Sequence, residues 1–308
     1  MNHVIEMNEL SKWYGEVIGL NNVTACIRDG ITGLLGHNGA GKTTLLSLAT
    51  GQLRPSRGEI TVLGERPWNN PRLLSRTGYC PEVDAFWRGL TGRQFVTFLA
   101  RANGMTRRRA LRAADAAIDL VRMGEDQHRR IAEYSRGMRQ RMKVAQALAH
   151  PPELLVLDEP LAGMDPVGRA ELIALFKRLA ESGTAVIVSS HILHEVEAMT
   201  DNILLLDHGQ LVAEGEVHEI RDSLEEQSHQ VLLRARESRR LATLLAGKDY
   251  VAALEVQDGQ TLILHTHDPD KLYRELPGIL ADNNIACSEI SSPDDSLEAV
   301  FGYLTGRP

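Results

Sequence analysis

Several things are scarce in this sequence, and each scarcity excludes something. It has three cysteines, Cys26, Cys80 and Cys287, too far apart to suggest a disulfide framework or a metal-ligand spacing. Scattered thiols of this kind fit a reducing compartment. No apolar run approaches the ~18 residues needed to cross a bilayer. The opening stretch MNHVIEMNELSKWYG has no apolar core of the secretory-signal kind. The expectation is a soluble, cytoplasmic protein that a partner brings to any membrane it touches. There is no overall basic excess either: the formal net charge is -7, which argues against a nucleic-acid partner. Positive charge is concentrated locally, with eleven Arg/Lys against five Asp/Glu from Thr106 to Lys143. A run of that sort is first of all a solvated helical face; contact with a nucleotide or with acidic lipid headgroups is the alternative.

What is present suffices for a folded protein. Apolar residues make up 43% of 308, enough for a sizeable core and for two domains. Residues 3–35 read as short strands broken by Gly, Asp and Asn turns. From Ile31 onward, apolar runs at Ile31–Leu35, Leu154–Leu157, Ala185–Val188 and Ile203–Leu206 have the length and uniformity of parallel strands buried on both faces. Helical stretches lie between them, notably Gly168–Ser182 and Ile192–Met199, so the layer is α/β with a parallel sheet. Residues 91–150 interrupt it with helix signal at Arg93–Ala102, Arg107–Val121 and Gly137–Ala149, ended by Pro151-Pro152.

Past about Ile220 the order becomes strand (Gln230–Arg236), helix (Glu237–Ala246), strand (Val251–Val256), strand (Gln260–Thr266), helix (Lys271–Asp282), strand (Ala286–Ser291) and a last helix (Leu297–Leu304). Asp258-Gly259 marks a hairpin turn. The β-α-β-β-α-β order is that of a small α+β, ferredoxin-like domain over 221–308.

Two segments carry chemistry. Gly36-His37-Asn38-Gly39-Ala40-Gly41-Lys42-Thr43 fits the phosphate-binding pattern G-x-x-x-x-G-K-[ST], after a buried strand and before a helix at Thr43–Ala49. Glycines let successive N–H groups turn inward onto phosphate oxygens, Lys42 adds a point charge, and the Thr43 hydroxyl suits Mg²⁺. Leu154–Leu157 ends in Asp158-Glu159. A carboxylate at the tip of a buried strand needs a cation; beside a phosphate loop that cation is Mg²⁺ on Asp158, which leaves Glu159 to orient or deprotonate water. Together these read as a P-loop NTPase.

Tyr134-Ser135-Arg136-Gly137-Met138-Arg139-Gln140-Arg141, about twenty residues before Asp158, narrows this further. Taken alone it is a helix start capped by Ser135. In this place it resembles the signature of the ABC ATPases, with Arg136 and Met138 departing from the commonest form in the manner of the ABC-2-type exporter ATPases. The resemblance covers 1–220. It implies an N-terminal antiparallel β subdomain, a helical insertion at 91–150, ATP with Mg²⁺, and a second ATPase subunit placed head to tail.

ATP bound by residues 36–44, Thr44 included, would be covered by Ser135 and Gly137 of the other subunit. By the same resemblance Tyr14 stacks on adenine, and Glu82, where glutamine is usual in the loop Gly78-Tyr79-Cys80-Pro81-Glu82, is a metal and nucleotide contact. Ala162-Gly163-Met164-Asp165 crosses to the partner, and His191 senses the γ-phosphate. An integral-membrane permease would dock near Glu82, where Phe86, Trp87, Leu90 and Phe95 form either its seat or ordinary core. The closing Ser296-Leu297-Glu298-Ala299-Val300-Phe301 is similar to the end of many such exporter ATPases.

Overall fold

The computed structural model describes residues 3–222 and 229–292, with Gly302 and Leu304. The expected last helix lies outside these residues but for its two described positions, and the closing motif at 296–301 lies wholly outside them. The chain divides into two compact units, Met1–Gly215 and Glu216–Pro308.

Strand β1 (His3–Tyr14) turns at Gly15 into β2 (Val17–Arg28), and the two pair antiparallel from end to end. The expectation of short strands here is corrected to one long hairpin. The polar residues that look like breaks are bulges: Glu9 and Asn22 take left-handed φ of 47° and 53°. Hydroxyls satisfy the amides the bulges free, with Glu9 N donating to Thr24 Oγ1 at 3.0 Å and Asn22 N to Ser11 Oγ at 2.9 Å.

After β3 (Ile31–Leu35) and α1 (Lys42–Ala49), β4 (Arg57–Val62) adds to β1, giving a three-stranded sheet in the order β2-β1-β4. One turn of helix, α2 (Pro71–Leu74), is capped by Asn70 and leads to β5 (Thr77–Cys80). The stretch read as a loop from Gly78 is therefore strand as far as Cys80, and only Pro81 and Glu82 leave it.

The helical insertion comprises α3 (Gly92–Ala102), α4 (Arg107–Leu120) and α5 (Arg136–Ala147). A capping box between Thr91 and Gln94 starts α3. Buried Ala110, Ala114, Ala117 and Ile118 recur at helical spacing on α4, a small-residue stripe that lets its neighbours come close. Part of the basic run is spent internally: Arg139 pairs with Asp84 (2.8 Å) and Arg141 with Glu171 (2.6 Å).

The remaining elements of this unit are β6 (Leu154–Asp158), α6 (Pro166–Glu181), β7 (Ala185–Ser190), α7 (Leu193–Glu197), β8 (Asn202–Asp207) and the edge strand β9 (Gln210–Glu216). The six-stranded sheet runs β5-β6-β7-β3-β8-β9, and the pairs β5/β6, β6/β7, β7/β3 and β3/β8 are parallel. Every residue of β6 and β7 is buried, which explains their unbroken apolar pattern. In register, Ser189 of β7 stands between Asp158 of β6 and Leu34 of β3. The carboxyl ends of these three neighbours therefore open onto one edge, where ligands of α/β sheets bind.

The second unit contains α8 (Val217–Asp222), β10 (His229–Ala235), α9 (Ser238–Leu245), β11 (Val251–Gln257), β12 (Thr261–Thr266), α10 (Pro269–Asp282) and β13 (Cys287–Ser291). Its sheet is antiparallel in the order β11-β12-β10-β13, the ferredoxin-like arrangement. Asp258 and Gly259 both have positive φ, as a tight hairpin turn requires. Val231, Leu233, Leu241, Leu262, Leu264 and Leu272 give this unit a core of its own.

Candidate functional site

The phosphate loop owes its shape to two glycines. Gly36 has φ 149°, and a Cβ there would lie 2.4 Å from the Leu206 carbonyl oxygen. Gly41, with φ 108°, would bring a Cβ to 2.7 Å from the Gly19 oxygen. Any other residue is excluded by backbone conformation and by space alike. The curled loop turns Lys42 back over itself, so that Nζ donates to Gly36 O at 2.6 Å and to His37 O at 3.4 Å. The α1 N-terminus begins at Lys42, adding its partial positive charge to the same spot.

From β6 come the two acids. Asp158 is 1% exposed, and its two oxygens are both held: Thr43 Oγ1 donates to Oδ2 at 3.0 Å and Ser189 Oγ donates to Oδ1 at 2.6 Å. Glu159 takes a left-handed φ of 48°, a conformation that costs a non-glycine residue about 1–2 kcal/mol. Its peptide is pinned on both sides, its N–H donating to Ser189 Oγ (3.0 Å) and its carbonyl accepting from Gln140 Nε2 (3.2 Å). That geometry aims the carboxylate at the loop. Glu159 Oε1 accepts from His191 Nδ1 at 2.9 Å and lies 3.8 Å from Lys42 Nζ. Burial lowers the Lys42 pKa below its ordinary value, and the charges of Glu159, Asp158 and Glu82 oppose that shift. A phosphate arriving beside Lys42 would favour its charged form further.

Gly41, Lys42, Asp158, Glu159 and His191 line one cleft of about 560 Å³, together with Tyr14, Glu82 and the loop residues His37, Asn38, Gly39, Thr43 and Thr44, whereas Gly36 does not line it. Ala40 is wholly buried and shapes the loop from behind, its N–H donating to His37 O at 3.1 Å. Tyr14 is 46% exposed at the rim, with its hydroxyl 3.4 Å from Thr44 Oγ1 and Lys12 Nζ 5.6 Å from the centre of its ring. Gly19 makes room for it, because a Cβ there would sit 2.7 Å from Tyr14 Cε2. Glu82 presents an exposed carboxylate, and Lys143 Nζ fixes its backbone by donating to its carbonyl at 2.6 Å. Hydroxyl and carboxylate oxygens at Thr43, Asp158 and Glu82 are the hard donor set that Mg²⁺ prefers, so the residues fit that ion.

Ser135 and Gly137 do not line this cleft. Ser135 is exposed and caps α5, accepting from Met138 N at 3.2 Å, while the neighbouring Arg136 does reach the cleft. Of the aromatic group near Glu82, Phe95 is core at 4% exposure, and Phe86 and Leu90 pack on that core. Trp87 is the one that stays open, at 51%, against the equally exposed Phe98 with ring centroids 4.8 Å apart. The sequence gives Ser189 and Gln140 no role, and it marks Arg136 as a departure from the signature without placing it in the cleft. Ser189 had a signal: the apolar run of β7 ends in Ser189-Ser190 at the same sheet edge as Asp158-Glu159. Gln140 had none, since its partner is a carbonyl on another element.

The chain is similar to known proteins. The model of the family described as "ABC transporter" matches residues 20–162. The chain is 33% identical to the ABC transporter ATP-binding protein YxlF of Bacillus subtilis, over 92% of this chain and 90% of that one. It is 31% identical to the bacitracin transport ATP-binding protein BcrA of Enterococcus faecalis, over 99% and 97%. The solved structure of an ATP-binding subunit of an ABC transporter superposes with a TM-score of 0.66 at 27% identity, over 71% of this chain and 92% of that chain.

Proposed function

This chain belongs to the ABC transporter ATP-binding proteins, and on that premise we propose how its residues bind ATP and split it. Adenine stacks on Tyr14, and the phosphates lie along residues 36–44 with Lys42 between them. Thr43, Asp158 and Glu82 would hold Mg²⁺. When bound, the ion would supply charge neutralisation to the phosphates. Glu159 orients a water and accepts its proton as the water oxygen bonds to the γ-phosphorus and the bond to the bridging oxygen breaks. ADP and inorganic phosphate leave. His191, hydrogen-bonded to Glu159 Oε1, keeps that carboxylate turned to the cleft.

One observation carries the account of how two such chains cooperate. Lys42, Asp158, Glu159 and His191 converge on one cleft, while Ser135 and Gly137 stand outside it with exposed or half-exposed surface. Residues of the signature are thus free to cover ATP on a second copy, so that each nucleotide is held between two chains and its hydrolysis releases them. The pair works on a separate membrane permease, from the cytoplasmic face, in the direction of export. No described helix is long and apolar enough to cross a membrane. Trp87 and Phe98 form the exposed aromatic part of the permease seat, with Phe95 behind them as support. Cargo is selected in the permease.

A cross-linking experiment tests the head-to-tail pairing. Chains carrying Asn38→Cys are mixed with chains carrying Ser135→Cys, each with Glu159→Gln to hold ATP, and the native chain serves as background. A thiol cross-linker should join the two only when ATP is present. Cross-linking that ignores ATP, or that joins Ser135→Cys chains to each other, contradicts the arrangement.

A further inference from the structure

The side chain of His37, in the phosphate loop, forms a cluster with Asp207 and His208, two residues to which ATP chemistry gives no role. His37 Nε2 approaches Asp207 Oδ1 at 2.7 Å, and His208 Nδ1 approaches Asp207 Oδ2 at 2.9 Å. The two imidazole centroids are 4.9 Å apart, and one donor atom from each of the three residues falls within 4.8 Å of the others.

The hydrogen bonding of His37 makes this more than a surface ion pair. Its Nδ1 lies 2.6 Å from the Asn38 carbonyl oxygen. A carbonyl only accepts, so Nδ1 carries a proton, and in the neutral ring Nε2 offers a lone pair. That lone pair is aimed at a carboxylate oxygen, and neither His37 Nε2 nor Asp207 Oδ1 has a hydrogen-bond partner although both atoms are buried. Two facing lone pairs repel. A proton or a metal cation between them turns the contact into attraction.

We infer that His37, Asp207 and His208 form a binding site for a zinc-class divalent cation that clamps the phosphate loop to the β8–β9 turn. Two imidazole nitrogens and one carboxylate oxygen are a borderline donor set, suited to Zn²⁺ and unlike the all-oxygen set that Mg²⁺ prefers. Three protein ligands leave a fourth position for water. Ligand bonds of about 2.0–2.2 Å in a tetrahedron place neighbouring donors roughly 3.3 Å apart, so His37 and Asp207 need to part by only about half an ångström.

The backbone already holds the two sides together. Gly209 N donates to Ala40 O at 2.9 Å, and Asn21 N donates to Gly209 O at 2.7 Å, which locks the turn against the loop before any ion arrives. His208, 69% exposed in its side chain, leaves an open path for entry. Occupancy fixes the His37 side chain, and with it one wall of the nucleotide cleft.

The test uses the nucleotide-free full-length chain, with Co²⁺ as the spectroscopic probe and Zn²⁺ as competitor. One saturable Co²⁺ site with visible absorption is expected, displaced by Zn²⁺. H208Q and D207N should each weaken Zn²⁺ binding by about tenfold or more, while H3Q, at an exposed histidine on β1, should leave it unchanged. His208 is exposed, so H208Q decides the matter even if D207N fails to fold. No saturable uptake, an affinity unchanged in H208Q, or an equal loss in H3Q overturns the proposal.

Discussion

Ser189 Oγ donates to Asp158 Oδ1 at 2.6 Å and accepts from the Glu159 amide at 3.0 Å, so one hydroxyl on β7 orients both the last residue of β6 and the acid that follows it. Ser189 is completely buried. Ser189→Ala therefore leaves a buried carboxylate oxygen and a buried amide without their partner, at a cost of about 1–3 kcal/mol. The variant should unfold at lower urea and hydrolyse ATP more slowly, with nucleotide affinity almost unchanged because the phosphate loop is untouched. Unfolding midpoint and phosphate release, measured on the same preparation, check this. A variant as stable and as active as the parent would show that Ser189 does not hold the acids.

A second buried group makes stability depend on pH. His150 Nε2 lies 3.1 Å from the Thr77 carbonyl oxygen and Nδ1 lies 3.2 Å from Asn103 Nδ2. The carbonyl accepts from Nε2–H, so Nδ1 accepts from Asn103, and a second ring proton would face a donor. Burial pushes the His150 pKa below its ordinary value of 6.5, and the bond to Thr77 offsets only part of that. Between the lowered folded value and 6.5 the unfolded chain binds more protons than the folded one. Stability is therefore intact above about 6.5 and falls as pH drops toward the folded value. Urea midpoints at pH 7.5 and 5.5 should drop more in the parent than in His150→Gln. An equal drop in both would remove His150 from the account.

Every residue placed in the nucleotide cleft lies between Tyr14 and His191, inside the unit that ends at Gly215. The second unit has its own sheet and its own buried leucines. A chain ending at Gly215 should fold and bind ATP, seen as a thermal-shift response to Mg-ATP comparable to that of the full chain. Dimerisation or coupling to the permease should suffer more than affinity. Insoluble protein, or a folded one that ATP does not stabilise, would mean that the second unit is needed for the first.

The legible parts of this molecule are those where one local rule dominates. Residues 36–43 stand out because the glycines and lysine of the phosphate-loop pattern are contiguous, and Leu154–Glu159 stands out because a uniformly apolar strand ends in two carboxylates that the structure brings to the same cleft. The second unit was readable in order, since Asp258-Gly259 fixes one hairpin and the others follow by alternation. The hairpin of β1 and β2 was misread as short pieces, because a bulge at Glu9 or Asn22 uses the same residues as a turn. Strand β5 was hidden in four residues that include Gly78. Phe95 was indistinguishable from Trp87 in sequence: both are aromatics around one helix start, and only the packing of α3 decides which faces inward. Ser189 and Gln140 matter through partners on other elements, information that no single segment contains.

On the mechanism proposed above, this chain hydrolyses ATP at a site where Glu159 handles the attacking water. Steady-state phosphate release by the parent and by Glu159→Gln, with ATP binding followed in parallel, tests it most directly. The account predicts near-complete loss of turnover in the variant, retained ATP binding through Lys42 and the loop, and an ATP-dependent dimer on a sizing column. Phosphate release by Glu159→Gln at a rate near that of the parent would contradict it.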